Sequence, residues 1–104
     1  MTVIAAKRDP KRCPTHPGAV LAESLAATGE TKTHIAGLLG ISRQHLNDIL
    51  GERKPVTANV AVRIGKLIGN GPDLWLRMQV AYDAWHAARD VNLDLIPTLK
   101  AKAA

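Results

Sequence analysis

A single cysteine, Cys13, in 104 residues excludes an internal disulfide, and a chain with 46% hydrophobic residues does not need one. No apolar run approaches the length of a membrane span, and the opening stretch MTVIAAKRDPKRCP lacks the apolar core of a secretory signal, so the expectation is a soluble, cytoplasmic protein. Metal-ligand spacing is missing too. Cys13 and His16 form one C-x-x-H pair while His34, His45 and His86 are scattered, and neither a metal nor a cofactor is expected. Nothing near Ser42 supplies a base and an orienting group, and no cluster of titratable residues suggests a pocket, which leaves an enzyme as the weakest reading. Aromatic residues are scarce, with no Phe, one Tyr and two Trp. Acidic residues are in deficit as well, nine against fourteen Lys and Arg, and the resulting +5 at pH 7 favours an anionic partner.

What is present is enough for one domain with one modest core. Its charge is uneven. Residues 31–66 carry six cations against two acids, whereas residues 67–99 carry two cations against four acids. One basic surface and one mildly acidic surface follow. Residues 1–15 read as a basic, flexible arm with Lys7, Arg8, Lys11 and Arg12, residues 16–90 as a folded domain, and residues 91–104 as a tail. Pro17 suits the first position of a helix in which Val20, Leu21 and Leu25 share a side. Thr31 caps a second helix with Ile35, Leu38 and Leu39 inward, Ser42 a third, and Thr57 a fourth carrying Val60, Ala61, Ile64, Leu67 and Ile68. Pro72 opens a fifth and longest helix, with Trp75, Met78, Tyr82 and Trp85 on one stripe. Only VNLDLIPTL near the end alternates in the manner of a strand. The fold class is therefore all-α, five helices and an extended C-terminal tail.

The second and third helices are separated by Gly40, Ile41 and Ser42 alone. Ala36 lets the two cross closely, Gly40 permits a left-handed turn, and Ile41 plugs the core. This is a helix-turn-helix, and its second helix bunches Arg43, Gln44, Asn47 and Asp48 on one side. A major groove is lined by base-edge donors and acceptors, so a helix that reads it must present polar side chains. Arg43 suits guanine O6 and N7, and Gln44 suits adenine N6 and N7, each pair being worth about 1–3 kcal/mol of discrimination. Asn47 can read a base or brace a neighbour. Asp48 can accept from cytosine N4 but repels phosphate. Lys32, Ser42, His45, Arg53, Lys54, Thr57 and Asn59 lie at helix starts and loops around the reader, where contacts go to phosphates.

The segments THPGAVLAESL, IAGLLGISRQHLNDILGERKPVTANVAVRIGKLIG and PDLWLRMQVAYDAW resemble those of HigA-type antitoxins, small members of the lambda-repressor-like helix-turn-helix group. The likeness covers about residues 15–88 in three separate motifs. It implies a homodimer that binds a RelE-like toxin, a ribosome-dependent mRNA endoribonuclease, and represses its own operon through pseudo-palindromic operator DNA. It also implies that His16-Pro17-Gly18, Trp75, Leu76, Gln79, Tyr82 and Asp83 are structural signatures. Three residues depart from the pattern. Ala19 stands where relatives often have Glu, which weakens a salt bridge expected at the first helix, while His34, also in place of Glu, and Gly65, where Ala is usual, imply modest losses of helix stability. His34→Glu is accordingly expected to complete a capping box with Thr31.

Other readings compete with these. The aromatic stripe can be a base-stacking platform, but aromatics at helical spacing are more often core or dimer interface, and Asp73 and Asp83 beside them repel nucleic acid. A stand-alone repressor without a toxin, or an adaptor bound to ribosome or polymerase, would carry the same helix-turn-helix.

Overall fold

A computed structural model describes residues 11–102; Met1–Pro10, with Lys7, Arg8 and Pro10 of the expected arm, and the last two alanines lie outside the described residues. The described chain forms α1 (Pro17–Ala26), α2 (Lys32–Leu39), α3 (Arg43–Leu50), α4 (Ala58–Ile68) and α5 (Asp73–Asp90), then a single 3-10 turn at Leu93–Leu95. Four of the helices start where a side chain satisfies a backbone N–H that the helix itself leaves open. His16 Nδ1 accepts from Gly18 N at 2.9 Å, Thr31 Oγ1 from His34 N at 3.1 Å, Ser42 Oγ from His45 N at 3.0 Å and Thr57 Oγ1 from Val60 N at 3.3 Å.

The core draws on every helix. Leu21 and Leu25 of α1 meet Ile35, Ala36 and Leu39 of α2, Leu46 and Ile49 of α3, Val60, Ala61 and Ile64 of α4, and Trp75 of α5, with Val56 closing it from the α3–α4 loop. At the α2–α3 turn Gly40 has φ 74° and Ile41 N donates to Ala36 O at 3.1 Å, so the chain reverses within three residues. Leu38 is not inward: it is 57% exposed. At about 100° per residue, Ala36 and Leu39 carry the buried arc to one side of Ile35 and leave Leu38 on the other. Leu67 and Ile68, also expected inward, lie at the exposed end of α4.

Three further expectations are corrected. VNLDLIPTL is not a strand. Its centre is the 3-10 turn, capped by Asn92 Oδ1 on Asp94 N at 3.2 Å, and no strand among the described residues could pair with an extended segment there. Within the expected arm, Pro14 is buried and Cys13 Sγ lies 3.5 Å from His86 Nε2. The carboxylate expected to help at His34 is already supplied from outside the helix, since Glu30 Oε2 is 2.6 Å from His34 Nδ1. The variant His34→Glu would set a second carboxylate against Glu30, and the gain assigned to it disappears. Gly65 is no helix defect either. It is buried, and a Cβ there would collide with the carbonyl of Gly71 and the nitrogen of Pro72, the backbone that turns into α5.

Two consequences are measurable. Gly65→Ala, which helix propensity alone would favour by about 1 kcal/mol, destabilises the fold by about 1–3 kcal/mol through that backbone collision, read as a lowered urea midpoint. His16 is 3% exposed, with its ring edge-to-face on Tyr82 at 4.8 Å. Burial lowers its pKa, and the carboxylates of Glu52 and Asp83 offset this only in part. The folded state therefore binds fewer protons than the unfolded chain. The stability involved is fully present above the unfolded value near pH 6.5 and falls as the pH drops from there toward the folded pKa. Protonation also removes the Nδ1 acceptor that caps α1. His16→Asn, which keeps a capping oxygen, loses less stability than the native chain between about pH 7.5 and pH 5.5 in paired denaturation curves.

Candidate nucleic-acid interface

The eight residues of α3 divide sharply. Leu46 and Ile49 are completely buried, while Arg43 and Gln44 are exposed on the first turn and Asn47 lies half-buried one turn on. Together with Lys32 at the first position of α2, and with Leu25 and Ile35 beneath, they line a cleft of about 610 Å³ that runs along α3. The side chains of Arg43 and Asn47 make no hydrogen bond among the described residues. Arg43, Gln44, Asn47 and Lys32 are thus brought together on one surface.

Asp48 is placed differently from the other three. Its side chain is 13% exposed and folded onto the loop that follows α3. Oδ1 accepts from Gln44 Nε2 at 3.0 Å and from Arg53 Nε at 3.1 Å, and Oδ2 stands 3.7 Å from Lys54 Nζ. Its backbone carbonyl also accepts from Arg53 N at 2.7 Å and Lys54 N at 3.1 Å. Desolvation works to raise the carboxyl pKa, but the hydrogen bonds from Arg53 and Gln44 and the charges of Arg53 and Lys54 together outweigh it, holding the group below the ordinary carboxylate range. Asp48, expected among the base readers, thus has both carboxylate oxygens turned toward the loop after α3 and engaged there.

The flanking residues divide too. Ser42 and Thr57 spend their hydroxyls as caps, with both side chains still at exposed positions, and His45 is half-buried beside Leu46. Arg53 and Lys54 remain more than half exposed despite their pairing with Asp48. Asn59 Oδ1 accepts from Arg63 Nε at 2.7 Å, which commits it to α4. Arg63 lies outside the set of site residues expected from the sequence. Its guanidinium also donates to Leu39 O at 2.9 Å, tying α4 to the end of α2 at the turn. The local signal was the i, i+4 spacing of Asn59 and Arg63; the reach to Leu39 carries no sequence signature. On the far side, buried Gln79 of α5 accepts from Val56 N at 2.7 Å and donates to Asp83 Oδ1 at 2.9 Å, so the loop holding Arg53 and Lys54 is fastened at both ends.

The aromatic stripe has no single role. Trp75 is core, its Nε1 donating to Asn70 Oδ1 at 3.1 Å, and Met78 packs against that core. Tyr82 lies half-buried between His16 and His86, and Trp85 is half-buried with the Arg89 guanidinium 3.3 Å above its ring. Among the described residues no group of three His, Cys, Asp or Glu side chains is placed to hold a metal ion, and no helix is long and apolar enough to cross a membrane.

No family model matches the chain. Individual proteins do. Antitoxin HigA-1 of Vibrio cholerae is 33% identical over 79 residues, 75% of this chain and 74% of that protein. The chain belongs to the HigA-type antitoxin family. An addiction module antidote protein of the HigA family from Coxiella burnetii superimposes with a TM-score of 0.77 at 30% identity, covering 86% of this chain and all of the other. Antitoxin GraA in complex with its operator superimposes with a TM-score of 0.74 at 29% identity, over 94% and 99% of the two chains. In this HigA-family chain the helix-turn-helix is therefore α2 and α3, within a fold shared along almost its whole described length.

Proposed function

We propose that this chain is a cytoplasmic, homodimeric antitoxin that binds a pseudo-palindromic operator through α3, represses its own operon and neutralises a RelE-like mRNA endoribonuclease. The observation that carries the DNA half is the α3 face: Arg43, Gln44 and Asn47 stand together on a helix whose opposite side is locked in the core, with Arg53 and Lys54 exposed just beyond it. Its relative GraA, of the same fold, forms a complex with its operator. Arg43 and Gln44 read base edges, Asn47 reads or braces, and Lys32, Arg53 and Lys54 contact phosphates.

Dimerisation is supported by a different surface. Leu74 and Val80 on α5, and Val91, Leu93, Leu95, Ile96 and Leu99 after it, are exposed apolar side chains in the acidic third of the chain, away from the basic reader. One α3 contacts too few base pairs for useful specificity, and two held roughly 34–36 Å apart read successive major grooves on one side of a duplex. The toxin contact lies outside α3 as well, since the basic and acidic parts of the chain offer chemically separate surfaces.

In a binding-site selection, Arg43→Ala relaxes preference at one position of each half-site by about 1–3 kcal/mol, whereas Lys54→Ala weakens all sequences alike and lowers the salt slope by about one unit. Retention of the native motif by Arg43→Ala would sink the assignment of the reader. Co-expression with the product of a neighbouring toxin gene separates the second function: the double variant Arg43→Ala, Gln44→Ala still co-purifies with the toxin and rescues growth. Loss of rescue by a folded double variant would contradict the two-surface reading, and failure of the native chain to capture any toxin would leave a stand-alone repressor.

A further inference from the structure

We infer that Asp48 is a positioning residue that determines specificity without touching a base: its carboxylate fixes which edge of the Gln44 amide faces the groove and holds Arg53 and Lys54 back from indiscriminate phosphate contact. This rests on the reading of α3 given above. A glutamine amide presents a donor and an acceptor on nearly superimposable atoms, and rotation by half a turn exchanges them. A carboxylate accepts and cannot donate. With Asp48 Oδ1 3.0 Å from Gln44 Nε2, the flipped amide would set two acceptors against each other, so only one orientation is allowed. One N–H then goes to Asp48, and the second N–H and Oε1 remain. That pair matches adenine N7 and N6, and no other single base offers both an acceptor and a donor in the major groove. The positions make the contact possible, since Gln44 and Asp48 are four apart on one helix face.

The same carboxylate meets Arg53 Nε at 3.1 Å and Lys54 Nζ at 3.7 Å. A negative charge between two cations beside a polyanion lowers affinity for every sequence. It lowers binding to right and wrong sites by the same factor, so it sets overall affinity and leaves discrimination to the Gln44 amide. Neither effect requires Asp48 to approach DNA. It acts through its three side-chain partners.

The test uses the full chain and the duplex recovered by binding-site selection with it, together with duplexes altered at the base pair assigned to Gln44. Asp48→Asn changes almost no volume, but its amide can donate or accept and so no longer fixes Gln44. Circular dichroism confirms the fold. The expected result is a loss of about fivefold or more in discrimination at the Gln44 base pair, with none at the Arg43 base pair, and tighter binding to random duplex. In a Gln44→Ala background, Asp48→Asn changes discrimination no further. A merely structural role would lower binding in both backgrounds alike, and that outcome overturns the proposal. Native discrimination by Asp48→Asn, when Gln44→Ala has lost it, overturns the proposal alone. A Gln44→Ala variant that selects the native motif overturns the assignment of Gln44 as a reader and this proposal with it.

Discussion

Everything on the α3 surface depends on two side chains that never see solvent, Leu46 and Ile49. An eight-residue helix is too short to hold its shape in water, because the cost of its first turn is spread over so few hydrogen bonds. It exists here because Leu46 and Ile49 are inserted among Leu21, Leu25, Ile35 and Leu39, and because Ser42 closes one end. Fixing those two residues fixes the rotation of the helix, and rotation decides which side chains point out. With Leu46 and Ile49 in the core, Arg43 and Gln44 must lie on the outside of the first turn. The exposed polar face of α3 is thus the remainder of a packing decision.

The loop after α3 obeys a second constraint. Residues 51–56 have no regular structure of their own, and Glu52 adopts a left-handed φ of 63°. The loop is kept in one conformation from two directions. Asp48 accepts from the backbone and side chain of Arg53 at the near end, and buried Gln79 accepts from Val56 N at the far end. The two anchors come from different helices, so α5 as well as α3 determines where Arg53 and Lys54 stand. Trp75 and Gln79, one turn apart on α5, serve the core and this loop respectively. Gln79 suits this place for a physical reason: a buried amide can offer one end to a backbone N–H and the other to Asp83.

These constraints also explain how much was legible in the sequence. Caps are local chemistry, and Thr31, Ser42 and Thr57 each act within three residues of themselves, so three helix starts and the α2–α3 turn could be read directly. The apolar stripes placed most of the core for the same reason. Leu38 escapes that reading because an eight-residue helix holds too few turns for its periodicity to define the buried arc. Gly65 escapes it because its reason lies in Gly71 and Pro72, which return to it only after the chain has turned. Pro14 and Cys13 look like part of an arm because the side-chain partner of Cys13 among the described residues, His86, is more than seventy residues away. Among the candidate site residues, Arg43 and Gln44 were legible as polar residues on the free side of an amphipathic helix.

Asp48 lies beyond what helical spacing can place. Helical spacing places its Cα near the same face as Gln44, and from spacing alone it belongs with the readers. Its side chain is instead drawn toward Arg53 and Lys54, which arrive only after the loop has doubled back. A carboxylate left pointing at DNA would meet phosphate repulsion, while a carboxylate turned onto two cations gains a charge-assisted hydrogen bond from Arg53 and the nearby charge of Lys54. The energetic preference is clear once Arg53 and Lys54 are nearby, and nothing in the helix itself reveals that they will be. Periodicity therefore identifies the face from which a sequence can be read. Long-range charge pairing decides which side chains on that face stay clear of ion pairs, and of the four candidates on α3 those are Arg43, Gln44 and Asn47.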